Sequence, residues 1–288
     1  MFHYLNLTKP RISLLFAITG LTAFMMEGSI VHDPFRLWML VLAIFMIGGS
    51  ANAFNQYFER EVDGRMERTA KKRPLPQGKI TPTAALIFSI VMGVIGTFIL
   101  WVWGTPFAAF LGVSTILFYS FYYTLWLKPR TPYNIVIGGA AGATGPLIGW
   151  AAATGHLSWA SFILFLIIFF WTPPHFWALA LCCKEDYAKA NYPMYPLVKG
   201  DASTRTQILL YSLTLLPLSA SLYFMKALGL TYLITSLILG LLFILEAIFV
   251  YRKKTIKSYW HLFAYSIIYL LLLFIVMIID TLISSPRA

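Results

Sequence analysis

Charged side chains are scarce in this sequence. Asp, Glu, Lys and Arg make up 11% of its 288 residues, whereas soluble domains carry about 25%. Apolar residues account for 59% of the chain. This composition excludes an ordinary soluble domain and indicates a protein that crosses the membrane several times.

Cysteine and acidic residues are also few. The two cysteines, Cys182 and Cys183, are adjacent, and this spacing suggests neither a disulfide framework nor a zinc site. Only 11 acidic residues oppose 22 Lys and Arg, so the formal net charge is +11. In a membrane protein such an excess is typical of cytoplasmic loops rather than of nucleic-acid binding.

Nine apolar segments have the length of about 20 residues that a bilayer requires. We predict membrane helices at 11–29, 36–58, 82–103, 105–127, 134–154, 158–182, 206–227, 229–251 and 260–283. With the amino terminus in the cytoplasm, all but three of the 22 Lys and Arg residues fall in cytoplasmic segments, and the exceptions are Arg36, Lys226 and Arg287. The positive-inside rule therefore favours nine helices in this orientation.

The organisation that follows is a single transmembrane domain covering residues 1–288. Two cytoplasmic loops, 59–81 and 183–205, would carry the functional site. The first apolar run is long enough to be a full span rather than a cleavable signal, and we expect a bacterial inner membrane as the location.

A cluster of polar side chains ends the second predicted helix. Asn55, Glu59 and Asp63 lie at i, i+4 and i+8, which on a helix keeps them within about 80° of one another. Gly64 then offers a place for the helix to stop. Oxygen ligands of this kind suit a hard divalent cation such as Mg²⁺, and acids at the end of a membrane helix are costly unless they are paired or metal-bound.

A dense basic run follows this cluster at once. Its members are Arg65, Arg68, Lys71, Lys72 and Arg73. Cations beside carboxylates suit a metal-bound anion, because the acids hold the metal while the bases hold phosphate oxygens. We therefore predict a metal and phosphate site at the cytoplasmic end of the second helix.

A second polar centre lies in the sixth predicted helix, where Pro173 and Pro174 precede His175. The prolines predict a kink or a restart of the helix. His175 and Asp186 are about three turns apart and could face one cavity. His175 could ligate a metal or heme, bond a substrate or accept a proton, and a satisfied structural histidine is an equal alternative. Asp186 could complete the metal site opposite the first cluster, or be an ordinary solvated loop residue.

Two further patterns have a structural and a functional interpretation. The motif Lys-Pro-Arg occurs at Lys9–Arg11 and again at Lys128–Arg130, which indicates either an internal repeat with a site at its interface or a common juxtamembrane ending. The stretch Asn134–Trp150 is rich in glycine and alanine. It favours close helix packing, with a substrate pocket against exposed backbone as the alternative.

The segment Asn55–Asp63, Asn-Gln-Tyr-Phe-Glu-Arg-Glu-Val-Asp, resembles the first signature of the UbiA family of intramembrane prenyltransferases, whose usual form is Asn-Asp-x-x-Asp-x-x-x-Asp. The glutamine after Asn55, the central Glu59 and the continuation to Leu75 are similar to the branch that farnesylates heme. The resemblance extends to Leu7–Arg11, Lys128–Asn134, Gly145–Trp150, Pro173–Leu179 and Asp186-Tyr187. The family's second signature is usually rich in Asp, whereas this chain has Lys184, Glu185 and Asp186 there.

This resemblance implies an all-α bundle of nine helices around a central cavity open to lipid. It implies Mg²⁺ as cofactor, farnesyl diphosphate as donor and heme B as acceptor. Water addition would then give heme O, and a heme A synthase or oxidase assembly factor would be a partner. The metal ligands would be Asn55, Glu59, Asp63 and Asp186.

The same resemblance assigns the remaining site residues, and His175 would also be the candidate base for the captured water. Candidates for the diphosphate are Arg11, Arg65, Arg68, Lys72, Arg73, Lys128 and Arg130. Candidates for heme binding are His175, Lys184 and Tyr187.

Three other functions fit part of the sequence. A prenyltransferase of the same family that acts on an aromatic quinone precursor would share the metal and the donor. An ion-coupled transporter could use Asn55, Glu59 and Asp63, although these lie at the membrane boundary whereas transporter sites are usually near the midplane. A structural assembly factor would explain neither acidic cluster.

Overall fold

Helices form the whole framework of the part of the chain that the structure describes, residues 2–284 of a computed structural model. Within these residues there is no strand. Arg287, one of the three cations predicted outside the cytoplasm, lies outside the described residues. The helices are α1 (Phe2–Leu7), α2 (Pro10–Glu27), α3 (Pro34–Phe58), α4 (Arg60–Arg65), α5 (Glu67–Ala70), α6 (Pro82–Ile99), α7 (Pro106–Leu117), α8 (Asn134–Gly142), α9 (Gly145–Thr154), α10 (Trp159–Cys182), α11 (Lys184–Lys189), α12 (Tyr195–Val198), α13 (Gly200–Phe224), α14 (Leu230–Lys253) and α15 (Ile256–Ser284).

The long helices form a membrane bundle. Eight segments within residues 2–284 are long and apolar enough to cross a membrane. Two of them are α6 and α7 with their π-helical continuations Leu100–Gly104 and Phe118–Leu127. The segment Pro10–Glu27 is helical as expected but is not among the eight, because Arg11 and Glu27 lower the hydropathy of its 18 residues. The all-α prediction is confirmed, and the count of nine spans stays a prediction.

Glycines allow two pairs of helices, α9 with α2 and α8 with α10, to pack closely. A Cβ added at Gly149 in α9 would lie 2.6 Å from the carbonyl oxygen of Gly20 in α2. A Cβ at Gly139 in α8 would lie 2.9 Å from the Thr172 side chain in α10. Close packing is therefore what the glycine-rich stretch provides at these two positions.

Helix α10 runs through the larger of the two main apolar cores and contacts α8, α13 and α15. It is one continuous helix although Pro173 and Pro174 lie inside it. The predicted restart is therefore wrong, and the alternative, a kink at these prolines, stays a prediction. Prolines remove two backbone donors from the helix, and the packing on three sides holds the helical path despite that loss.

The segment that carries the acidic cluster differs from the prediction in one respect. Helix α3 ends at Phe58, Glu59 lies at the junction, and α4 runs on through Gly64 rather than stopping there. The helical hydrogen bonds nevertheless continue across the junction, from Glu59 N–H to the Asn55 carbonyl (3.0 Å) and from Asp63 N–H to the Glu59 carbonyl (2.7 Å). The three polar side chains therefore stay in register.

The short helices gather at one end of the bundle. Helix α1 contacts α3 and α6, while α11 and α12 connect α10 to α13. Helices α13 and α15 begin earlier than predicted, at Gly200 and Ile256. This end of the bundle holds the candidate site.

Candidate active site at one end of the bundle

Three predicted polar side chains meet at this end. Asn55, Glu59 and Asp63 are each at most 2% exposed. The Arg73 guanidinium contacts the Asp63 carboxylate directly and lies 3.3 Å from Glu59 Oε2. The Lys128 ammonium lies 2.5 Å from Glu59 Oε1. The structure thus brings the first acidic cluster together with Arg73 from the adjoining basic run and with Lys128 from a distant part of the sequence.

A third cation completes the ring around this cluster. The Lys9 ammonium donates to Asn55 Oδ1 at 2.8 Å. The Asn55 amide nitrogen in turn donates to Thr124 Oγ1 at 3.2 Å, which fixes the direction in which its oxygen points. The Tyr192 hydroxyl donates to Glu59 Oε1 at 3.4 Å, and the Lys128 ammonium lies 4.6 Å above the Tyr192 ring.

The electrostatics of the site follow from burial beside these cations. Burial acts to raise the pKa of Glu59, but Lys128 and Arg73 outweigh it and hold that pKa at about 2. Burial, followed by the charge of Arg73, lowers the pKa of Lys9 to about 7. Glu59 is therefore an anion at neutral pH, available to hold a cation.

The donor set fits a hard metal ion. Asp63 Oδ1 is buried and has no hydrogen-bond partner among the described residues, so it offers a free lone pair beside the oxygens of Glu59 and Asn55. No group of three Asp, Glu, His or Cys residues converges within residues 2–284. Three oxygens, one of them an amide, suit Mg²⁺, which commonly keeps several waters and completes its shell with substrate phosphates.

A cavity of about 290 Å³ opens beside the cluster. Four of its seven lining residues are cations and none is acidic. The lining consists of Asn6, Lys9, Gln56, Arg68, Thr69, Lys72 and Arg73. A cavity with this lining suits an anion of more than one charge.

Asp186 makes no hydrogen bond or ion pair with Asn55, Glu59 or Asp63 within the described residues, and its part in a metal site stays a prediction. Its carboxylate accepts from the backbone N–H groups of Glu67 (3.3 Å) and Arg68 (3.2 Å). Asp186 therefore ties the loop after α10 to the start of α5. In this position it holds the backbone that carries Arg68 into the cavity.

The other predicted cations fall into two groups. Arg68, Lys72, Arg73 and Lys128 lie at the cavity or the cluster. Arg11 and Arg65 are exposed, and Arg130 donates to the carbonyls of Leu125 and Trp126.

The second polar centre is separate from the first. His175 is buried, with its ring between those of Trp171 and Phe263 at centroid distances of 4.4 and 4.6 Å. Its Nδ1 lies 2.6 Å from Ser266 Oγ, so Nε2 is the remaining polar atom of the ring. Asp186 bonds the start of α5 and makes no hydrogen bond to His175.

Of the two other predicted heme contacts, Lys184 pairs with Asp201 at 2.8 Å in a half-exposed ion pair. Tyr187 is buried in the main core.

Comparison with known proteins identifies the family. The profile of the UbiA prenyltransferase family matches residues 14–278. The chain belongs to the UbiA prenyltransferase family. A relative from Gloeobacter violaceus is 46% identical over 280 residues, covering 96% of this chain and 91% of its own. A relative from Symbiobacterium thermophilum is 43% identical over 282 residues, covering 96% and 93%. Both are protoheme IX farnesyltransferases, the branch that the sequence resembles.

Solved UbiA structures share the fold. A structure of digeranylgeranylglyceryl phosphate synthase superposes with a TM-score of 0.79 at 21% identity and covers 97% of both chains. A UbiA homolog from Archaeoglobus fulgidus, bound to GPP and Mg²⁺, superposes with a TM-score of 0.74 at 14% identity and covers 96% of this chain and 99% of that one. At these identities the likeness shows the fold.

Sequence reasoning missed two residues that contact the candidate site, Lys9 and Tyr192. Lys9 is the first residue of the first Lys-Pro-Arg motif, and Lys128 is the first residue of the second. Because Lys128 was already a candidate for the diphosphate, the repeat could have indicated Lys9 as well. Tyr192 follows α11 in a loop, and no spacing in the sequence indicates that its hydroxyl reaches Glu59.

Proposed function

We propose that this protein transfers the farnesyl group of farnesyl diphosphate to a vinyl group of heme B, with addition of water, and so forms heme O. The observation that carries the proposal is the buried Asn55, Glu59 and Asp63 cluster beside a cavity lined by four cations. The heme-farnesylating relatives make heme the favoured acceptor. A bacterial inner membrane is the proposed location.

The first cluster would hold Mg²⁺ and the diphosphate. Asn55, Glu59 and Asp63 supply oxygens for the metal. When bound, Mg²⁺ neutralises negative charge on the diphosphate oxygens. Arg73 and Lys128 already lie against the acids and are placed to stabilise the charge that grows on the leaving group.

The reaction balances without an oxidant. The allylic C–O bond of the donor breaks, and diphosphate leaves with the bonding electrons. The π electrons of a heme vinyl group form the new C–C bond. Water adds to the resulting cation and loses a proton, which leaves a hydroxyl group. Apolar helices around the site exclude bulk water until this last step.

The acceptor side rests on the second polar centre. We propose that His175, through Nε2, contacts heme or accepts the proton of the added water, and that Tyr187 and Lys184 contribute to heme binding. His175→Ala should lower heme affinity or turnover. Heme titration followed by absorption, together with a turnover assay, tests this, and unchanged values of both would remove His175 from the site.

The acceptor is tested by a competition experiment. Purified protein in detergent is given farnesyl diphosphate and Mg²⁺ with either heme B or 4-hydroxybenzoate, and diphosphate release is measured with and without EDTA. We expect EDTA-sensitive release with heme B. Release with the aromatic acid alone would keep the metal site and favour a quinone-precursor enzyme. No release with either acceptor would favour transport.

A further inference from the structure

Lys9 lies in a backbone conformation that lysine rarely adopts. It separates α1 from α2, has φ 48° and ψ 66°, and precedes Pro10. The left-handed region crowds the Cβ of any residue other than glycine. Such strain persists when the surrounding structure holds it, and it clusters at functional sites.

Gln56 holds this segment in place. Its side chain is 1% exposed, and its amide nitrogen donates to the carbonyl oxygens of Asn6 (3.0 Å) and Leu7 (2.9 Å). Both carbonyls belong to the last turn of α1, where helix carbonyls lack partners within the helix. The usual family signature has Asp at this position, and a carboxylate cannot donate to a carbonyl. The tie between α3 and α1 is therefore specific to the glutamine.

With α1 held by Gln56 in this way, the Lys9 ammonium lies at the candidate site. The ammonium lies 2.8 Å from Asn55 Oδ1 and faces the same cavity as Arg68, Lys72 and Arg73. Lys128, the first residue of the second Lys-Pro-Arg motif, contacts the same cluster through Glu59. Lys9 and Lys128, the lysines of the two Lys-Pro-Arg motifs, thus both contact the cluster of Asn55, Glu59 and Asp63.

We propose that Lys9 binds the diphosphate of the prenyl donor, and that Gln56 is a positioning residue that fixes α1 so that Lys9 reaches it. This inference rests on the proposed function and adds the amino-terminal segment to the donor site. The cavity offers a diphosphate four basic side chains and no acidic one, and such charge-assisted partners suit phosphate oxygens.

Binding of inorganic diphosphate, measured calorimetrically in detergent with Mg²⁺ and without heme, tests the proposal. Lys9→Met should weaken binding about tenfold or more, the scale of one lost hydrogen bond between charged groups, and Lys9→Arg should restore most of it. Lys79→Met removes an exposed lysine of the same end of the bundle and should leave binding unchanged. Wild-type affinity in Lys9→Met would overturn the proposal.

A double-mutant cycle tests the role of Gln56. Gln56→Met keeps the volume and removes the donor, and we expect a several-fold loss of diphosphate affinity. If Gln56 acts through Lys9, the double variant binds no more weakly than Lys9→Met alone. Independent, multiplying losses would contradict a positioning role.

The variant Lys9→Gly is the control for misfolding. Glycine adopts positive φ without strain, so this variant should be at least as thermally stable as the wild type while it still loses diphosphate affinity. A variant that is stable and binds normally would overturn the proposal without any question of misfolding.

The remaining experiment separates the diphosphate from an anionic lipid, since both present phosphate oxygens. Binding is repeated in nanodiscs with and without phosphatidylglycerol. We expect the Lys9→Met defect in both. A defect in phosphatidylglycerol binding alone, with diphosphate affinity intact, would overturn the assignment. Because no heme is present, failure of heme farnesylation by the wild type would remove the proposed function and leave this result standing.

Discussion

At the scale of single residues, Asp63 and Glu61 provide a matched pair of acids. Asp63 is buried against Arg73 with one oxygen free, while Glu61 is exposed and only 3.5 Å from Arg60. Asp63→Asn should reduce Mg²⁺-dependent turnover about 100-fold or more, the scale for losing a charged group from a water-excluded site. Steady-state assays over a range of Mg²⁺ concentrations measure this.

Glu61→Gln is the control for that prediction, because it removes an acid two residues away that faces solvent. It should stay near wild-type turnover. Equal losses in the two variants would mean that the negative charge of the loop, rather than the oxygen at Asp63, supports the reaction.

Local spacing predicted the convergence of Asn55, Glu59 and Asp63, because a helix fixes which side chains share a face. The basic run after the cluster supplied Arg73 as a phosphate candidate, and the family resemblance supplied Lys128. Local spacing missed that Tyr192 bonds Glu59 and that Asp186 accepts from two backbone N–H groups, while the metal role of Asp186 stays a prediction. Such contacts depend on how distant loops fold over the site, which no local period encodes.

At the scale of helices and loops, Asp186 acts as a tie between the loop after α10 and the start of α5. An amide keeps one acceptor oxygen, so Asp186→Asn should cost about tenfold or less in turnover, corresponding to one lost hydrogen bond. Turnover and Mg²⁺ dependence should be compared with those of Glu185→Gln, an exposed neighbour. A loss as large as that of Asp63→Asn, with a raised Mg²⁺ requirement, would instead support the predicted role of Asp186 as a metal ligand.

Helix α10 shows why element boundaries were only partly predictable. Two prolines argue for a break when the segment is considered alone, yet the helix is continuous from Trp159 to Cys182. Its neighbours α8, α13 and α15 fix its path, and tertiary packing overrides the local preference. The end of α3 at Phe58, by contrast, coincides with the predicted bound.

At the scale of the whole molecule, the distribution of Lys and Arg predicts the orientation in the membrane. In a variant with Cys182 and Cys183 replaced by alanine, Lys79→Cys should react with a membrane-impermeant maleimide only in inside-out vesicles. His32→Cys, in the exposed loop between α2 and α3, should react only in right-side-out vesicles. The reverse pattern would place the site on the outer face.

The central claim is that a farnesyl group and a water-derived hydroxyl are added to heme B at the Asn55, Glu59 and Asp63 site. The most direct measurement is mass analysis of the porphyrin after incubation of the purified protein with heme B, farnesyl diphosphate and Mg²⁺ in ¹⁸O-labelled water. The account predicts a heme that carries farnesyl and a labelled hydroxyl, and no such product with EDTA or with Asp63→Asn. An unmodified heme, or a farnesylated one without the labelled oxygen, would contradict it.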